Sequence, residues 1–396
     1  MKKPIPVTVL TGYLGSGKTT LVNRLLADPQ GMRIAVIVND IGEINIDAKL
    51  IAGKGHASVA DSSLVSLTNG CICCSLQTDL ITQIVKLVKT DRFDYILIEA
   101  SGVCEPVPIA QSIAMIGGKL KDKGVPTLCT LDSVVAVVDA YRLITEFSGG
   151  EALLDVEEED IGRLLVEQIE FCNLVLLNKT DLLTGAEVEK VEAIVKALQP
   201  SAQILRTSFV DVPSQNILNT KLFDFEKTFL SAGWAQTVEE DEHEKHSHHH
   251  HADHHHETDH EEEHEEHSHL EEYGISTFVY DRRRPFDDSK LEVWVNHFPS
   301  GVIRCKGLVW ISGEDDTSFL LEQAGKSVSV QPFAPWLAAA SSEEREAAWQ
   351  RDPVAKENWD EKIGDRMSKL VFIGADMNQQ AIIESLDNCL DEELSF

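Results

Sequence analysis

Residues 5–19 read IPVTVLTGYLGSGKT, an apolar run followed by a glycine-rich turn. The turn from Gly12 to Thr19 fits G-x-x-x-x-G-K-[ST] in full, between a predicted strand and a predicted helix, as this motif requires. Glycines let backbone N–H groups wrap phosphates, Lys18 supplies charge to the β- and γ-phosphate oxygens, and Thr19 offers its hydroxyl to Mg²⁺. The stretch therefore predicts a P-loop, with these candidate nucleotide-binding residues: Gly12, Gly15, Ser16, Gly17, Lys18, Thr19 and Thr20.

Apolar runs and helical patterns alternate around this turn, from residue 5 to about residue 230. The predicted strands cover residues 5–10, 33–38, 95–100, 134–140 and 174–179. The predicted helices cover residues 18–27, 75–90, 160–171 and 185–198. Strands that alternate with helices indicate parallel βαβ units, so we predict a doubly wound α/β domain.

A candidate base-recognition motif, Asn178-Lys179-Thr180-Asp181, lies at the end of the predicted strand 174–179. The Asp181 carboxylate can accept two N–H groups from the edge of guanine, whereas adenine presents the wrong pattern of donors and acceptors. The motif therefore favours GTP over ATP. An ordinary polar turn between a strand and a helix is the alternative interpretation.

A carboxylate follows the strand in ILIEASG, residues 96–102. Glu99 is a candidate for Mg²⁺, directly or through water, and Gly102 for a close approach to the γ-phosphate. An acid that is simply satisfied at a strand end is the alternative. Lys18, Thr19, Glu99 and Glu43 are the candidate catalytic residues.

The segment NDIGEINID, residues 39–47, lies where a switch loop is expected. Its acidic residues Asp40, Glu43 and Asp47 are candidates for positioning water, Mg²⁺ or a second metal. A solvated acidic loop is the alternative interpretation of the same pattern.

Three cysteines crowd into GCICC at Cys71, Cys73 and Cys74. Thiolates are good zinc ligands, and the predicted helix start just after them lowers thiol pKa values. Three thiolates leave a tetrahedral site one ligand short, to be completed by water, Asp40, Glu43 or His56. A redox pair and plain core thiols are the alternatives. The scattered cysteines, at positions 104, 129, 172, 305 and 389, are predicted to be small buried residues.

Composition changes abruptly at residues 239–269, where acids alternate with 13 of the 15 histidines. This segment has no apolar periodicity, so we predict a disordered linker that binds metal at several exchangeable sites, or one that is merely solvated. Strand and helix patterns resume near residue 273. The predicted organisation is therefore a GTPase domain over 1–232, a linker over 233–272 and a smaller α+β domain over 273–396.

Charge and hydropathy limit the partners and the compartment. The 35 basic and 66 acidic residues give a formal charge of −31, which argues against nucleic acid or an anionic membrane as a partner. No segment approaches the roughly 20 apolar residues of a spanning helix. We expect a soluble cytoplasmic protein whose eight cysteines stay reduced.

The P-loop, NDIGEINID, GCICC, IEASG and NKTD follow one another in a fixed order that resembles the CobW-like family of metal-trafficking GTPases. The resemblance covers the whole first half and extends through FPSGVIRCKGLVWIS, residues 298–312, and the histidine-rich insertion is similar to its zinc-limitation branch. It implies a SIMIBI-type P-loop domain with a parallel sheet, followed by a CobW C-terminal domain. The chain begins almost at its first strand, so we expect it to lack the segment by which eukaryotic relatives dock onto methionine aminopeptidase.

The resemblance implies a GTP-dependent zinc metallochaperone that uses GTP, Mg²⁺ and Zn²⁺ and delivers metal to client proteins. It matches Lys18 and Thr19 to phosphate and Mg²⁺ contacts, the three clustered cysteines to the metal motif, and Asn178, Lys179 and Asp181 to the guanine reader. The alternatives are a zinc store with a regulatory GTPase and a cobalt or iron insertion factor. The client and the oligomeric state, including a homodimer, stay open.

Overall fold

The structure is a computed structural model, and the description covers residues 3–39, 63–67, 75–103, 105–114, 127–147, 161–224, 227–228, 232, 235, 273–351, 356 and 359–391. The chain divides into two compact units. The first comprises Met1–Glu146 and Leu164–Gly233, and the second comprises Phe147–Arg163 and Trp234–Phe396. The domain boundaries that we derive from the sequence stay predictions, and the predicted linker lies almost wholly outside the described residues.

The first unit contains a seven-stranded sheet in which all paired neighbours are parallel. The strand order is β3-β2-β4-β1-β5-β6-β7. The strands are β1 (Ile5–Thr11), β2 (Ile34–Asn39), β3 (Ser63–Leu67), β4 (Tyr95–Glu99), β5 (Cys129–Asp139), β6 (Leu174–Asn178) and β7 (Gln203–Arg206). The predicted α/β class and the five predicted strands are confirmed. The short strands β3 and β7 lack a long apolar run and escaped prediction.

Helices connect the strands as the alternating pattern predicts. They are α1 (Lys18–Ala27), α2 (Ser75–Thr90), α3 (Pro106–Ala114), α4 (Ala140–Phe147), α5 (Ile161–Glu170) and α6 (Gly185–Leu198). The four predicted helices correspond to α1, α2, α5 and α6. Helix α6 begins where Thr184 and Glu187 form a capping box, each side chain bonding the other's backbone N–H.

The core of the first unit packs α1 against the central strands. Helix α1 buries Leu21, Val22 and Leu25, which are at most 1% exposed and lie on one helical face. They join strand residues such as Leu97 and Val137 in one apolar cluster. Full burial of one such side chain contributes about 1.5–3 kcal/mol, so this packing fixes α1, and with it the preceding P-loop, on the sheet.

The second unit contains an antiparallel five-stranded sheet of order β11-β10-β9-β12-β8. Its strands are β8 (Ile275–Arg282), β9 (Val302–Val309), β10 (Thr317–Ala324), β11 (Ser327–Pro335) and β12 (Ser368–Ala375). Its helices are α7 (Asp288–Val295), α8 (Ser342–Arg351) and α9 (Gln379–Asp387). The predicted smaller α+β domain is confirmed as a fold.

The sequence pattern predicts a helix over residues 335–350, but helix α8 begins later, at residue 342. Pro335 instead ends strand β11, and a single 3₁₀ turn over Leu337–Ala339 follows. The Ser341 hydroxyl and the Glu344 carboxylate then cap each other's backbone N–H groups. This capping box fixes the helix start at residue 342.

No helix among the described residues is long and apolar enough to cross a bilayer.

In the core of the second unit, one sheet face packs with α7 and α9 around stacked Phe278 and Phe372, whose ring centroids lie 4.8 Å apart. The Trp294 indole joins this core and donates to Ser385 Oγ at 2.8 Å. Aromatic packing of this kind holds the two helices on the sheet.

A buried polar network joins the central strands of the first unit to residues 220 and 221, which follow β7 in the chain. The Tyr95 hydroxyl donates to Asp132 at 2.6 Å and lies 2.8 Å from the Thr8 hydroxyl. Asp132 also accepts the backbone N–H groups of Thr220 and Lys221 at 3.0 and 2.7 Å. Burial and the Asp132 carboxylate raise the pKa of Tyr95, so the phenol stays protonated and donates.

We predict that Tyr95→Phe lowers the free energy of unfolding by about 1–3 kcal/mol, because it removes a donor from a buried carboxylate. Urea unfolding measured by far-ultraviolet circular dichroism checks this. Tyr141→Phe is the control, since Tyr141 is 49% exposed and should leave the unfolding midpoint unchanged. Equal midpoints for Tyr95→Phe and the unsubstituted protein contradict the structural role of the network.

Candidate nucleotide-binding site

The P-loop depends on a glycine at position 17. Gly17 has a φ of +118°, and a Cβ atom there would lie 2.8 Å from Asn178 Nδ2. That amide cannot move aside, since Asn178 Nδ2 donates to Ser16 O at 2.7 Å and Asn178 Oδ1 accepts from Val210 N at 2.9 Å. Both the backbone conformation and the space therefore require glycine.

Lys18 lies inside the loop that precedes it. Its side chain is 8% exposed, and Nζ donates to Gly12 O at 2.6 Å and Tyr13 O at 3.1 Å. These carbonyls hold the ammonium group within the glycine-rich turn. The arrangement keeps a positive charge where the motif predicts phosphate contacts.

Thr19 and Glu99 meet although 80 residues separate them, because β1 and β4 are neighbours in the sheet. The Thr19 hydroxyl donates to Glu99 Oε1 at 2.6 Å, and Glu99 is 2% exposed. A hydroxyl and a carboxylate side by side are hard oxygen donors of the kind that Mg²⁺ prefers. This pair therefore fits the predicted magnesium site.

Gly102 packs directly on the P-loop. A Cβ atom at this position would lie 2.7 Å from the backbone nitrogen of Leu14, so only glycine allows the loop after β4 to approach so closely. The Gly102 carbonyl accepts a hydrogen bond from Gln168 Nε2 at 3.2 Å. Gln168 is a buried residue of α5, and its hydrogen bond attaches this loop to that helix.

The base-recognition motif is held in a defined shape. Lys179 adopts a left-handed conformation with φ of 63°, and its ammonium group bonds Asp139 Oδ2 at 2.5 Å. Asp139 also accepts from the backbone N–H of Arg142 at 3.1 Å. Asp181 follows in a 3₁₀ turn and is exposed. Its carboxylate is therefore accessible to a ligand at the carboxyl edge of the sheet.

The loop after β7 completes this edge and carries backbone strain. Phe209 and Val210 have φ values of 57° and 52°, which non-glycine residues rarely adopt and which cost about 1–3 kcal/mol each. Thr207 O accepts from both the backbone N–H and the hydroxyl of Thr180, at 3.3 and 3.1 Å. These contacts hold the strained loop beside the base-recognition motif.

The structure brings together Gly12, Gly17, Lys18, Thr19, Glu99, Gly102 and Asn178 around the P-loop, with Lys179 and Asp181 in the adjoining turn. Sequence reasoning missed Asp139 and Gln168. Asp139 carried a usable signal, because it ends an apolar strand just as Glu99 does. Gln168 gave none, since an amide within a helical pattern looks like any solvated residue.

The metal motif Cys71, Cys73 and Cys74 lies outside the described residues, as do Asp40, Glu43, Asp47, His56, Cys104 and the histidine-rich segment. Within the described residues no group of three or more His, Cys, Asp or Glu side chains could hold a metal ion. The prediction for the other four cysteines is confirmed, since Cys129, Cys172, Cys305 and Cys389 are buried. Burial raises the pKa of each of these thiols, that of Cys129 to about 12. They are therefore poor metal ligands at neutral pH.

The chain is similar to known protein families and to individual proteins. The CobW/HypB/UreG nucleotide-binding domain family matches residues 6–206, and the cobalamin synthesis protein cobW C-terminal domain family matches residues 275–390. The chain is 36% identical to zinc-regulated GTPase metalloprotein activator 1 of Dictyostelium discoideum, over 98% of this chain and 81% of that protein. It is 30% identical to zinc chaperone YjiA of Escherichia coli, over 58% of this chain and 65% of that protein. A crystal structure of Zn(II)-bound YjiA GTPase from E. coli covers 98% of this chain and 99% of that chain, at 21% identity and a TM-score of 0.41.

We predict that Gly17→Ala weakens nucleotide binding by roughly five- to 160-fold, since a strain of about 1–3 kcal/mol falls on the phosphate-binding loop. Titration with a fluorescent GDP analogue measures the effect. Gly185→Ala is the matched control, because a Cβ atom there meets nothing within 4 Å. Unchanged binding in Gly17→Ala contradicts the described loop geometry.

Proposed function

Because the chain belongs to the CobW/HypB/UreG family, we propose that it is a GTP-dependent zinc metallochaperone. It binds Zn²⁺ through Cys71, Cys73 and Cys74 and couples the binding and hydrolysis of GTP to transfer of the metal to client proteins. The proposal places this activity in the cytoplasm, where thiols stay reduced. Its main support is the 36% identity over 98% of the chain with zinc-regulated GTPase metalloprotein activator 1.

The chain's own residues supply the parts that GTP hydrolysis needs. Water attacks the γ-phosphorus, the bond from that phosphorus to the bridging oxygen breaks, and GDP and phosphate leave. Lys18 and the P-loop backbone bind the phosphates, and Asp181 selects guanine. Thr19 and Glu99, which are hydrogen-bonded to each other, are the residues that would hold Mg²⁺, and a bound ion would supply positive charge to the phosphates. The sequence offers no obvious glutamine to orient the water, so intrinsic turnover should be slow until a client binds.

The strand that precedes the thiol motif in sequence ends at the same edge of the sheet as the strand that precedes the P-loop. Strand β3 ends at Leu67, four residues before Cys71, and α2 begins at Ser75, directly after Cys74. Since β3 is parallel to β1, their carboxyl ends share one edge. Three inter-strand steps separate them in the strand order. Such steps span about 14 Å, which supports communication between the thiols and the γ-phosphate side of the site.

We predict that Zn²⁺ affinity depends on the nucleotide. A change in Zn²⁺ affinity of about a hundredfold corresponds to roughly 2.7 kcal/mol of coupling free energy between nucleotide and metal, which one repositioned metal ligand can supply. The measurement titrates Zn²⁺ against a chelating indicator with GDP, with a non-hydrolysable GTP analogue and without nucleotide. Protein lacking residues 239–269 is used, so that histidines do not mask the tight site.

Replacing Cys71, Cys73 and Cys74 together by serine should abolish the tight, nucleotide-dependent site. Cys389→Ala is the control, because its buried thiol should contribute nothing to metal binding. Equal Zn²⁺ affinities in all three nucleotide states contradict nucleotide gating, and retention of the tight site in the triple variant contradicts the thiol assignment.

The concentration of 13 of 15 histidines in residues 243–269 favours a second candidate, a zinc store whose GTPase has only a regulatory role. Deleting residues 239–269 distinguishes the two candidates. The chaperone keeps one tight site per chain and its nucleotide dependence, and loses only weak capacity. A store loses most of its bound zinc and its protection of cells against zinc limitation.

A further inference from the structure

Phe209 combines two features that rarely occur together. It is 71% exposed, the most exposed of the large apolar side chains in the described parts of the chain. Its backbone has a φ of 57° and is followed by a second positive φ at Val210. An aromatic side chain displayed to solvent on strained backbone contributes little to the core, and such strain often marks a binding site.

The loop that carries Phe209 is rigidly attached to the nucleotide-binding edge. Val210 N donates to Asn178 Oδ1 at 2.9 Å, and Val210 Cγ1 lies 3.3 Å from the position of a Cβ atom on Gly17. The turn is closed by Asp211 N donating to Ser208 O at 3.2 Å, and Asp211 is paired with Arg24 of α1 at 2.5 Å. The backbone that carries Phe209 is therefore fixed beside the P-loop and the base-recognition motif.

We propose that the Phe209 ring stacks on the face of the guanine base and forms one wall of the base-binding pocket, an inference that rests on the proposed function. Asp181 and Phe209 then divide the recognition of one base. The Asp181 carboxylate reads the hydrogen-bonding edge, which distinguishes guanine from adenine. The ring contacts the face of the base, which adds affinity and tolerates changes in exocyclic groups.

Leu182, which is 57% exposed, is a second exposed apolar side chain but a weaker candidate for contact with the base. It lies in the 3₁₀ turn of the base-recognition motif, and no positive φ is recorded for it. A planar ring gains more from a purine face than an aliphatic side chain does, since the two π systems stack. The strained position of the ring is the feature that a stacking role accounts for.

The test titrates full-length variants with methylanthraniloyl-GDP, labelled on the ribose. Phe209→Gly removes the ring and suits the positive φ, so the variant should fold. Phe209→Leu keeps apolar volume without a π face, and Phe209→Tyr keeps the ring. We expect about tenfold weaker binding in the glycine and leucine variants, the loss of one base–aromatic stack, and binding within about twofold of the original in the tyrosine variant.

Two further variants separate stacking from other causes. Phe333→Ala removes a ring that is 61% exposed in the second unit and should leave binding unchanged. In competition, GDP and inosine diphosphate should weaken by the same factor in Phe209→Gly, because stacking ignores the exocyclic amine. Asp181→Asn should instead lose GDP and gain xanthosine diphosphate, whose O2 accepts from an amide N–H.

Each outcome decides the matter. If Phe209→Gly or Phe209→Leu binds methylanthraniloyl-GDP as tightly as the unsubstituted protein, the stacking role is overturned. If Asp181→Asn still switches to xanthosine diphosphate in that case, the proposed GTP specificity stands. If Asp181→Asn changes nothing, the guanine assignment fails, and the stacking proposal fails with it. Tenfold losses in both ring-deleting variants with recovery in Phe209→Tyr support it.

Discussion

One buried amide holds the nucleotide-binding edge of this protein together. Asn178, which is 2% exposed, donates to Ser16 in the P-loop and accepts from Val210 in the loop after β7, while its own backbone ends strand β6. Three segments that are distant in sequence therefore share one side chain. An amide in this position leaves no room for a side chain at residue 17, which explains why the turn must be glycine-rich there.

The segments that bind the nucleotide at this edge are held differently from the loop that we expect to move. The P-loop and the base-recognition motif are tied to buried strands and to each other, so they should change little between nucleotides. The loop after β4 is attached differently, through the contact of Gly102 with Leu14 and the hydrogen bond from Gln168. We predict that Gly102 approaches the γ-phosphate, and this loop, which a hydrogen bond from Gln168 attaches to α5, would then shift when that phosphate leaves. The proposed coupling to the thiols begins at this loop.

The sequence predicts those parts of the site that depend on local spacing. The P-loop, the NKTD turn and Glu99 each follow an apolar strand, and parallel pairing brings strand ends together. The pairing of Lys179 with Asp139 and the strained loop at Phe209 were not predicted, because they depend on which strands become neighbours. The predicted helix over residues 335–350 began too early, since helical spacing does not reveal that Pro335 belongs to a strand. The thiol cluster stays a prediction.

Communication between the triphosphate and the metal is the central claim, and thermodynamic linkage makes it reciprocal. The direct measurement is the affinity of a non-hydrolysable GTP analogue at saturating Zn²⁺ and under strict chelation, in protein without residues 239–269. If the account is right, Zn²⁺ tightens the analogue by about a hundredfold, the same factor by which the analogue tightens Zn²⁺. One and the same affinity at both zinc levels would show that the two sites act independently and would contradict the account.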